Sequence, residues 1–380
     1  MSSGLSRRRM LLGAGGVAAG VIAAAGCGST RSVGSARPRL KAGTPLWRTT
    51  LPSGLADAAE AAGTLCVVAG DGVHGLSVRN GKKSWSLRDR QEGYDGVTAV
   101  GGKVLVAGAT SGVAALDPAS GQPRWRFDLP DLGTLPNIPL LSQDSTTVYV
   151  SGLSAATGRL QSIIFAIDAV TGEHKWAAHF TTSVSSMTAG DGVVCAGIGF
   201  NPTKLVALDA RTGARKWTAG PPIASADDIT DGVICASGTA SKSSVIALDV
   251  SAGNMRWTAD LGGDLWYTES DAGITYANTY AGSAQDGGPG DLTALDARTG
   301  KTMWKRHFPE GPPTYLEPAG TVLYTGTDSS MVRALDAATG RVLWSHKVTD
   351  TAKDPLMDIV LAPGTLCLVN ANGAIVALET

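Results

Sequence analysis

Beyond residue 60 the apolar residues come in short runs of Val, Ile, Leu and Ala, each cut by a small turn sequence. "GTLCVVAGDG" (63 to 72), "DGVVCAGIG" (191 to 199) and "DGVICASG" (231 to 238) show the pattern. Runs this short, bounded by "DG", "GG" and "TG", predict β-strands joined by tight turns. No stretch after residue 60 carries the period of an amphipathic helix.

The strands recur on a longer period. Aligned on Trp, the chain reads "GLSVRNGKKSW" (75 to 85), "ALDPASGQPRW" (115 to 125), "AIDAVTGEHKW" (166 to 176), "ALDARTGARKW" (207 to 217), "ALDVSAGNMRW" (247 to 257), "ALDARTGKTMW" (294 to 304) and "ALDAATGRVLW" (334 to 344). The intervals between Trp85, Trp125, Trp176, Trp217, Trp257, Trp304 and Trp344 are 40, 51, 41, 40, 47 and 40 residues. Periods near 40 to 45 in an all-β chain predict propeller blades of four antiparallel strands. In each copy the Gly supplies positive φ to a hairpin loop. The Asp accepts hydrogen bonds from turn amides and from the Thr hydroxyl. The small Ala lets a neighbouring sheet come close, and the Trp is a flat anchor between one blade and the next.

The two ends of the chain each carry half a copy. "ALET" (377 to 380) and "KAGTPLW" (41 to 47) join into "ALETKAGTPLW", with Ala377, Glu379, Gly43 and Trp47 in register. The N-terminal strand is therefore expected to complete the C-terminal blade. That closes a ring of eight over residues 43 to 380 and removes the open edge.

The A-x-D-x-x-T-G-x-x-x-W pattern resembles the tryptophan-docking repeat of the pyrroloquinoline-quinone-type (PQQ-like) β-propellers. It is complete at Asp168, Asp209, Asp296 and Asp336, carries Ser120 and Ala252 in place of Thr in two further copies, and is worn at Ser77 and Asn80. The resemblance implies the propeller fold. It leaves the activity open among quinoprotein dehydrogenases, BamB-type envelope scaffolds and extracytoplasmic sensor domains.

The first forty residues read as targeting rather than fold. Arg7 and Arg8 precede an apolar stretch from Met10 to Ala25 that ends in "AAGC" at Cys27. The first part resembles a twin-arginine export signal and the second a lipobox. Together they predict removal of residues 1 to 26, a lipid on the Cys27 sulfur, and a flexible stalk over 27 to 42. The competing transmembrane anchor would be short for a span. Cleavage takes away three Arg and no acid, moving the formal charge from −1 to about −4. Nothing in that balance calls for nucleic acid, and a monomer is expected.

For chemistry, the resemblance implies that a dehydrogenase of this family would carry an adjacent Cys-Cys pair, a calcium bound by Glu, Asn and Asp, and an Asp base on long loops. This chain has no adjacent Cys pair, and its blades average about 42 residues. Asp227, Asp228, Glu269, Glu317 and Asp358 fall near the innermost strands, where a base is conceivable and simple solvation is the plainer reading. The five histidines show no ligand spacing. No catalytic residue, metal or cofactor is therefore expected, PQQ and calcium included. Cys66, Cys195, Cys235 and Cys367 each follow a turn Gly by three residues and so take one equivalent place in four blades. Packed sheets stand too far apart for ready bridging, so buried free thiols are expected.

The long inserts at 127 to 139, 152 to 162, 279 to 290 and 308 to 318 all belong to connections that emerge on one side of such a ring. That side is the candidate binding face, with Trp266, Tyr267, Tyr280 and Tyr315 in or near the inserts. Exposed, these aromatics suit a protein or glycan ligand of the cell envelope; buried, they cap the blade ends. The expectation is a non-catalytic, membrane-anchored extracytoplasmic scaffold. A quinone- or sugar-dependent oxidoreductase with reduced loops and a sensor are the alternatives.

Overall fold

A computed structural model describes residues 41–51, 54–88, 94–108, 112–129, 140–154, 161–199, 204–220, 223–238, 243–282, 288–327, 331–348 and 356–380. The export signal, Arg7, Arg8, Cys27 and most of the stalk lie outside them. The described strands form eight four-stranded antiparallel sheets and no helix. In chain order these are blades I (55–88), II (94–127), III (140–180), IV (184–219), V (223–260), VI (264–308), VII (315–347) and VIII (356–379). Each runs from an inner strand A to an outer strand D. Blade VIII takes its outer strand, Pro45–Thr50, from the start of the chain, paired with Ala374–Glu379 through Trp47 opposite Ala377. The inner strands of blades I and VIII touch, so the ring is closed.

Local chemistry explains the blade. Ala62-Gly63, Asp191-Gly192, Asp231-Gly232 and Ala272-Gly273 all have positive φ at both residues. This twist matches the flanking strands of the A-to-B hairpins. In the C-to-D loops the Asp carboxylate gathers the amides that follow. Asp209 Oδ1 accepts from Arg211 N, Thr212 N and Thr212 Oγ1 at 3.2, 2.9 and 2.8 Å. Asp296 and Asp336 bind their Thr in the same way. The Thr hydroxyl in turn accepts an amide two residues on, as Thr212 does from Ala214.

The small Ala answers a demand inside its own sheet rather than the approach of a neighbouring one. Ala115, Ala166, Ala207, Ala247, Ala294, Ala334 and Ala377 lie directly opposite Trp125, Trp176, Trp217, Trp257, Trp304, Trp344 and Trp47. Paired residues share a face, and the indole lies flat over that position. Blade I has Gly75 there, and a Cβ on it would fall 2.1 Å from Trp85.

Each indole then covers the loop Gly of the next blade. Trp47 lies on Gly81, Trp85 on Gly121, Trp125 on Gly172, Trp176 on Gly213, Trp217 on Gly253, Trp257 on Gly300, Trp304 on Gly340, and Trp344 on Gly43. The indole N–H donates to the carbonyl just after the next blade's Asp position: Trp304 to Ala337 O at 2.8 Å, Trp217 to Val250 O at 2.9 Å, Trp47 to Val78 O at 2.7 Å. One side chain thus supplies apolar cover and a satisfied polar atom to its neighbour. The contact runs the whole way round and includes the seam.

The cysteines sit in the same row, opposite Gly75, Ala207, Ala247 and Ala377, and are buried free thiols. In blades III, VI and VII a Tyr takes that place and backs its own Trp. The Tyr149–Trp176, Tyr276–Trp304 and Tyr324–Trp344 ring centroids are 5.7, 6.1 and 6.0 Å apart. Trp176 and Trp304, each 8% exposed, are buried, whereas Trp217, above Cys195, is half-buried.

Candidate functional site

The ring has two unlike sides. The A-to-B and C-to-D turns emerge on one, called here the turn side. The B-to-C and D-to-A connections emerge on the other, the loop side. Residues 130–139, 155–160 and 283–287 of the predicted inserts lie outside the described residues. The described part of the loop side is best defined where blades VI and VII meet.

There Asn278, fully buried on strand Ile274–Tyr280, donates from Nδ2 to Pro313 O at 2.6 Å and fixes the connection between the blades. Arg333 pairs with Glu310, and its guanidinium lies 5.3 Å from the Phe308 ring centre. Arg306 lies 5.9 Å from the same ring. Asp291 binds Lys305 at 2.9 Å and His307 at 2.8 Å. Partial burial opposes ionisation of Asp291, but the hydrogen bonds to Lys305 and His307 hold its carboxyl below its ordinary value. The result is a mixed-charge rim over the Phe308 ring, which is 2% exposed, so what this face offers a partner is its charged groups.

Of the four predicted aromatics, Trp266 and Tyr280 meet edge to face at 6.1 Å. Tyr280 is 8% exposed, so its role is packing rather than ligand contact. Tyr267 packs into the cluster shared by blades VI and VII, and Tyr315 into the one shared by VII and VIII. Both cap blade ends more than they display a ring. Trp266 is half-buried and occupies a β-bulge between Leu265 and Tyr267 on strand Asp264–Asp271. A bulge re-aims the residue it carries.

The inner strands hold a feature the sequence did not reveal. Neighbouring inner strands splay apart around the channel, and buried carboxylates bridge some of the gaps. Asp57 accepts from Ala58 N and from Val97 N of blade II, both at 2.9 Å. Asp228 accepts from Ile229 N at 2.7 Å and from Ser270 N of blade VI at 2.8 Å. Ser186 Oγ does the same for Ala226 N at 3.1 Å, and Asp358 holds Ile359 N at 2.7 Å. Asp228 and Asp358 are each 4% exposed, so both are buried rather than simply solvated, and Asp228 staples two blades. Asp227, Glu269 and Glu317 are half-buried. Burial, with Asp227 and Asp271 nearby, lifts the Asp228 carboxyl well above the usual carboxylate range.

A raised carboxyl can mark a base. Here both oxygens are engaged by main-chain amides within the ring. His74 has Asp71 at 2.8 Å and Ser86 Oγ at 3.2 Å, an order reminiscent of a hydroxyl–imidazole–carboxylate relay. His74 is 2% exposed, and in the neighbouring copies its place falls to Ala114, Phe165, Val206 and Ile246. It is a buried histidine with both nitrogens satisfied within its own blade. The adjacent Cys-Cys pair that the resemblance implies for a quinone site has no counterpart here: the four described cysteines lie in four different blades, and the described residues hold no group of three His, Cys, Asp or Glu placed to bind a metal.

Comparison with known proteins agrees with this geometry. The family model described as outer membrane protein assembly factor BamB matches residues 9–219 and 241–380. The chain belongs to that family. It is 27% identical over 262 residues to the outer membrane protein assembly factor BamB of Burkholderia pseudomallei, covering 65% of this chain and 64% of that relative. Among solved structures, BamB from Moraxella catarrhalis superposes with a TM-score of 0.63 at 18% identity, covering 89% of this chain and 99% of that one. The quinohemoprotein alcohol dehydrogenase of Comamonas testosteroni reaches 0.63 at 16% identity, covering 88% and 76%. At such identities the superpositions establish the PQQ-like propeller fold that these proteins share, and not a common chemistry.

Proposed function

We propose that this BamB-family propeller is a non-catalytic scaffold of the cell envelope, anchored through a lipid on Cys27, whose loop side binds an envelope protein. The observation that carries the reading is where the recurrent polar groups go. The Asp and Thr close their own loops, the Trp N–H binds the next blade, and the inner acids staple neighbouring strands. None is aimed at a shared reacting centre. The connections of the loop side vary most in length from blade to blade, and this side carries the Arg333, Glu310 and Asp291 rim over the buried Phe308.

The reading is tested in cells by replacing Trp266 with a photo-crosslinking residue in the full chain. A discrete partner band that is lost when Glu310 and Asp291 are both made Lys supports the scaffold. No band, together with dye reduction by the purified protein supplied with pyrroloquinoline quinone and calcium, refutes it. Cys27→Ser is expected to release the protein from membranes.

A further inference from the structure

The turn side carries an asymmetry that the scaffold role does not use. In blades III to VI the A-to-B turns carry Asp144, Asp191, Asp231 and Asp271. In blades VII, VIII, I and II the same turns are Gly320-Thr321, Pro363-Gly364, Ala62-Gly63 and Gly101-Gly102, without a carboxylate. Two acids lie close to these turns: Asp271 of blade VI accepts from Gly320 N at 3.0 Å, and Glu60 binds its own turn through Gly63 N at 2.7 Å. On this half of the ring the C-to-D loops expose Arg298 and Lys301 in blade VI, Arg341 in VII, Lys41 in VIII, and Arg79 and Lys82 in I. Of the carboxylates beside them, Asp296 and Asp336 are taken up by their own Thr and loop amides, and Glu379 holds the equivalent place in blade VIII.

The residue just before the docking Trp changes in the same sector. In blades II to V it is Arg124, Lys175, Lys216 or Arg256, and three of these pair with the loop Asp at 2.5, 3.1 and 2.6 Å. In blades VI, VII and VIII it is Met303, Leu343 and Leu46. Met303 is 42% and Leu343 41% exposed, with Met255 of blade V, 61% exposed, continuing the arc. Three consecutive blades therefore replace a cation by an apolar side chain on the rim while keeping cations in the loops. Apolar residues flanked by Lys and Arg are the composition of a surface that meets lipid headgroups.

The path of the chain identifies what covers this arc. Strand Pro45–Thr50 starts at the turn side, where Gly43 N donates to Glu379 O at 2.8 Å. Lys41, the first described residue, thus sits on the turn side at blade VIII, between blades VII and I. Cys27 lies 14 residues before Lys41, a reach of about 50 Å at full extension.

We propose that the turn-side edge of blades VI, VII, VIII and I rests on an anionic membrane surface. Met303 and Leu343 enter the headgroup layer, and Arg298, Lys301, Arg341 and Lys82 meet lipid phosphates. This turns the loop side away from the bilayer, toward partners. The inference rests on the anchored reading above for its cellular setting, but not for its test.

The hydrophobic clusters among the described residues lie within the closed ring, so the vesicle test uses residues 41–380 once circular dichroism and calorimetry show that this piece folds cooperatively. That ring is expected to float with vesicles of phosphatidylglycerol in phosphatidylcholine and not with phosphatidylcholine alone. Arg298→Gln, Lys301→Gln and Arg341→Gln should each weaken binding about fivefold, and the triple variant about a hundredfold, while Arg211→Gln in blade IV changes it less than about twofold. The four native thiols are buried, so a single introduced cysteine can carry an environment-sensitive dye. A dye at Leu343→Cys should brighten on vesicles, and one at Val170→Cys in blade III, across the ring, should not. Absence of vesicle binding, equal binding to both vesicle types, or equal brightening at both sites overturns the proposal. Release by Cys27→Ser in cells is read separately, so loss of the anchor reading and loss of this surface are distinguishable.

Discussion

Truncating Trp304 to Ala removes an indole that is 8% exposed, set between Tyr276 of its own blade and Gly340 of the next. A Cβ on Gly340 would fall 2.6 Å from that ring, so the loop of blade VII rests directly on it. Emptying such a site costs about 3 to 5 kcal/mol in lost burial and cavity. The Ala337 carbonyl also loses its donor, a loss of about 1 kcal/mol within that total. Folding units of roughly 340 residues unfold with an entropy near 0.7 kcal/mol/K. A loss of about 4 kcal/mol therefore lowers Tm by roughly 6 °C. Urea unfolding and calorimetry on residues 41–380 read both quantities. Trp304→Phe, which keeps a ring and loses the N–H, should cost roughly 1 to 2 kcal/mol. Trp217→Ala, half-buried above Cys195, should fall near the lower end, about 3 kcal/mol. A loss below about 1 kcal/mol for Trp304→Ala, with an unchanged urea slope, would show that the ring does not depend on these contacts.

Other consequences concern ionisation. Asp228 is lifted to about 7 by burial, above its unfolded value, so its contribution is most favourable below about pH 4 and fades as pH rises through 7. Asp228→Asn should flatten the fall in the urea midpoint over that window, and an unaltered slope would count against the assignment. The loop carboxylates have the opposite sign. Hydrogen bonds from Arg124 and Ser120 lower Asp117 to about 2, and amide bonds led by Thr171 do the same for Asp168. Their stabilisation, present above about pH 4, should drain away as pH drops toward 2, which acid titration followed by circular dichroism would detect. Burial pushes Cys66, Cys195, Cys235 and Cys367 up to about 12, so none should react with a thiol reagent until the ring is unfolded, when all four should. Rapid labelling of the native protein would mean that the blades open.

Much of the architecture was legible because the repeat records its own mechanics. Gly, Asp, Thr and Trp recur at fixed offsets since each blade solves the same loop and the same contact, and the split copy at Gly43 and Glu379 announced the seam. What escaped sequence reading depends on register. The Ala faces its own Trp across a strand pair, a relation visible only once strands C and D are aligned past the bulge before each Trp. Asp57 and Asp228 reach amides of the following blade 40 and 42 residues on. The bulges in strands Leu55–Ala61 and Ile223–Thr230 set their depth, and no local pattern marks those bulges. Tyr280 misled for a related reason: its position next to an insert suggested exposure, whereas its strand runs on and buries it against Trp266.

The seam has a consequence for how the molecule comes into being. The strand that seals the last blade is the earliest part of the ring to be synthesised, and its partner is the very last, with Pro45 opposite Leu378. Pairing across so long a stretch of chain is slow and comes late. Until translation reaches Thr380, the growing arc keeps two raw apolar flanks, one at each end. Losing either strand Pro45–Thr50 or strand Ala374–Glu379 would leave the finished toroid in that same unsealed condition, with edges open to proteolysis and self-association.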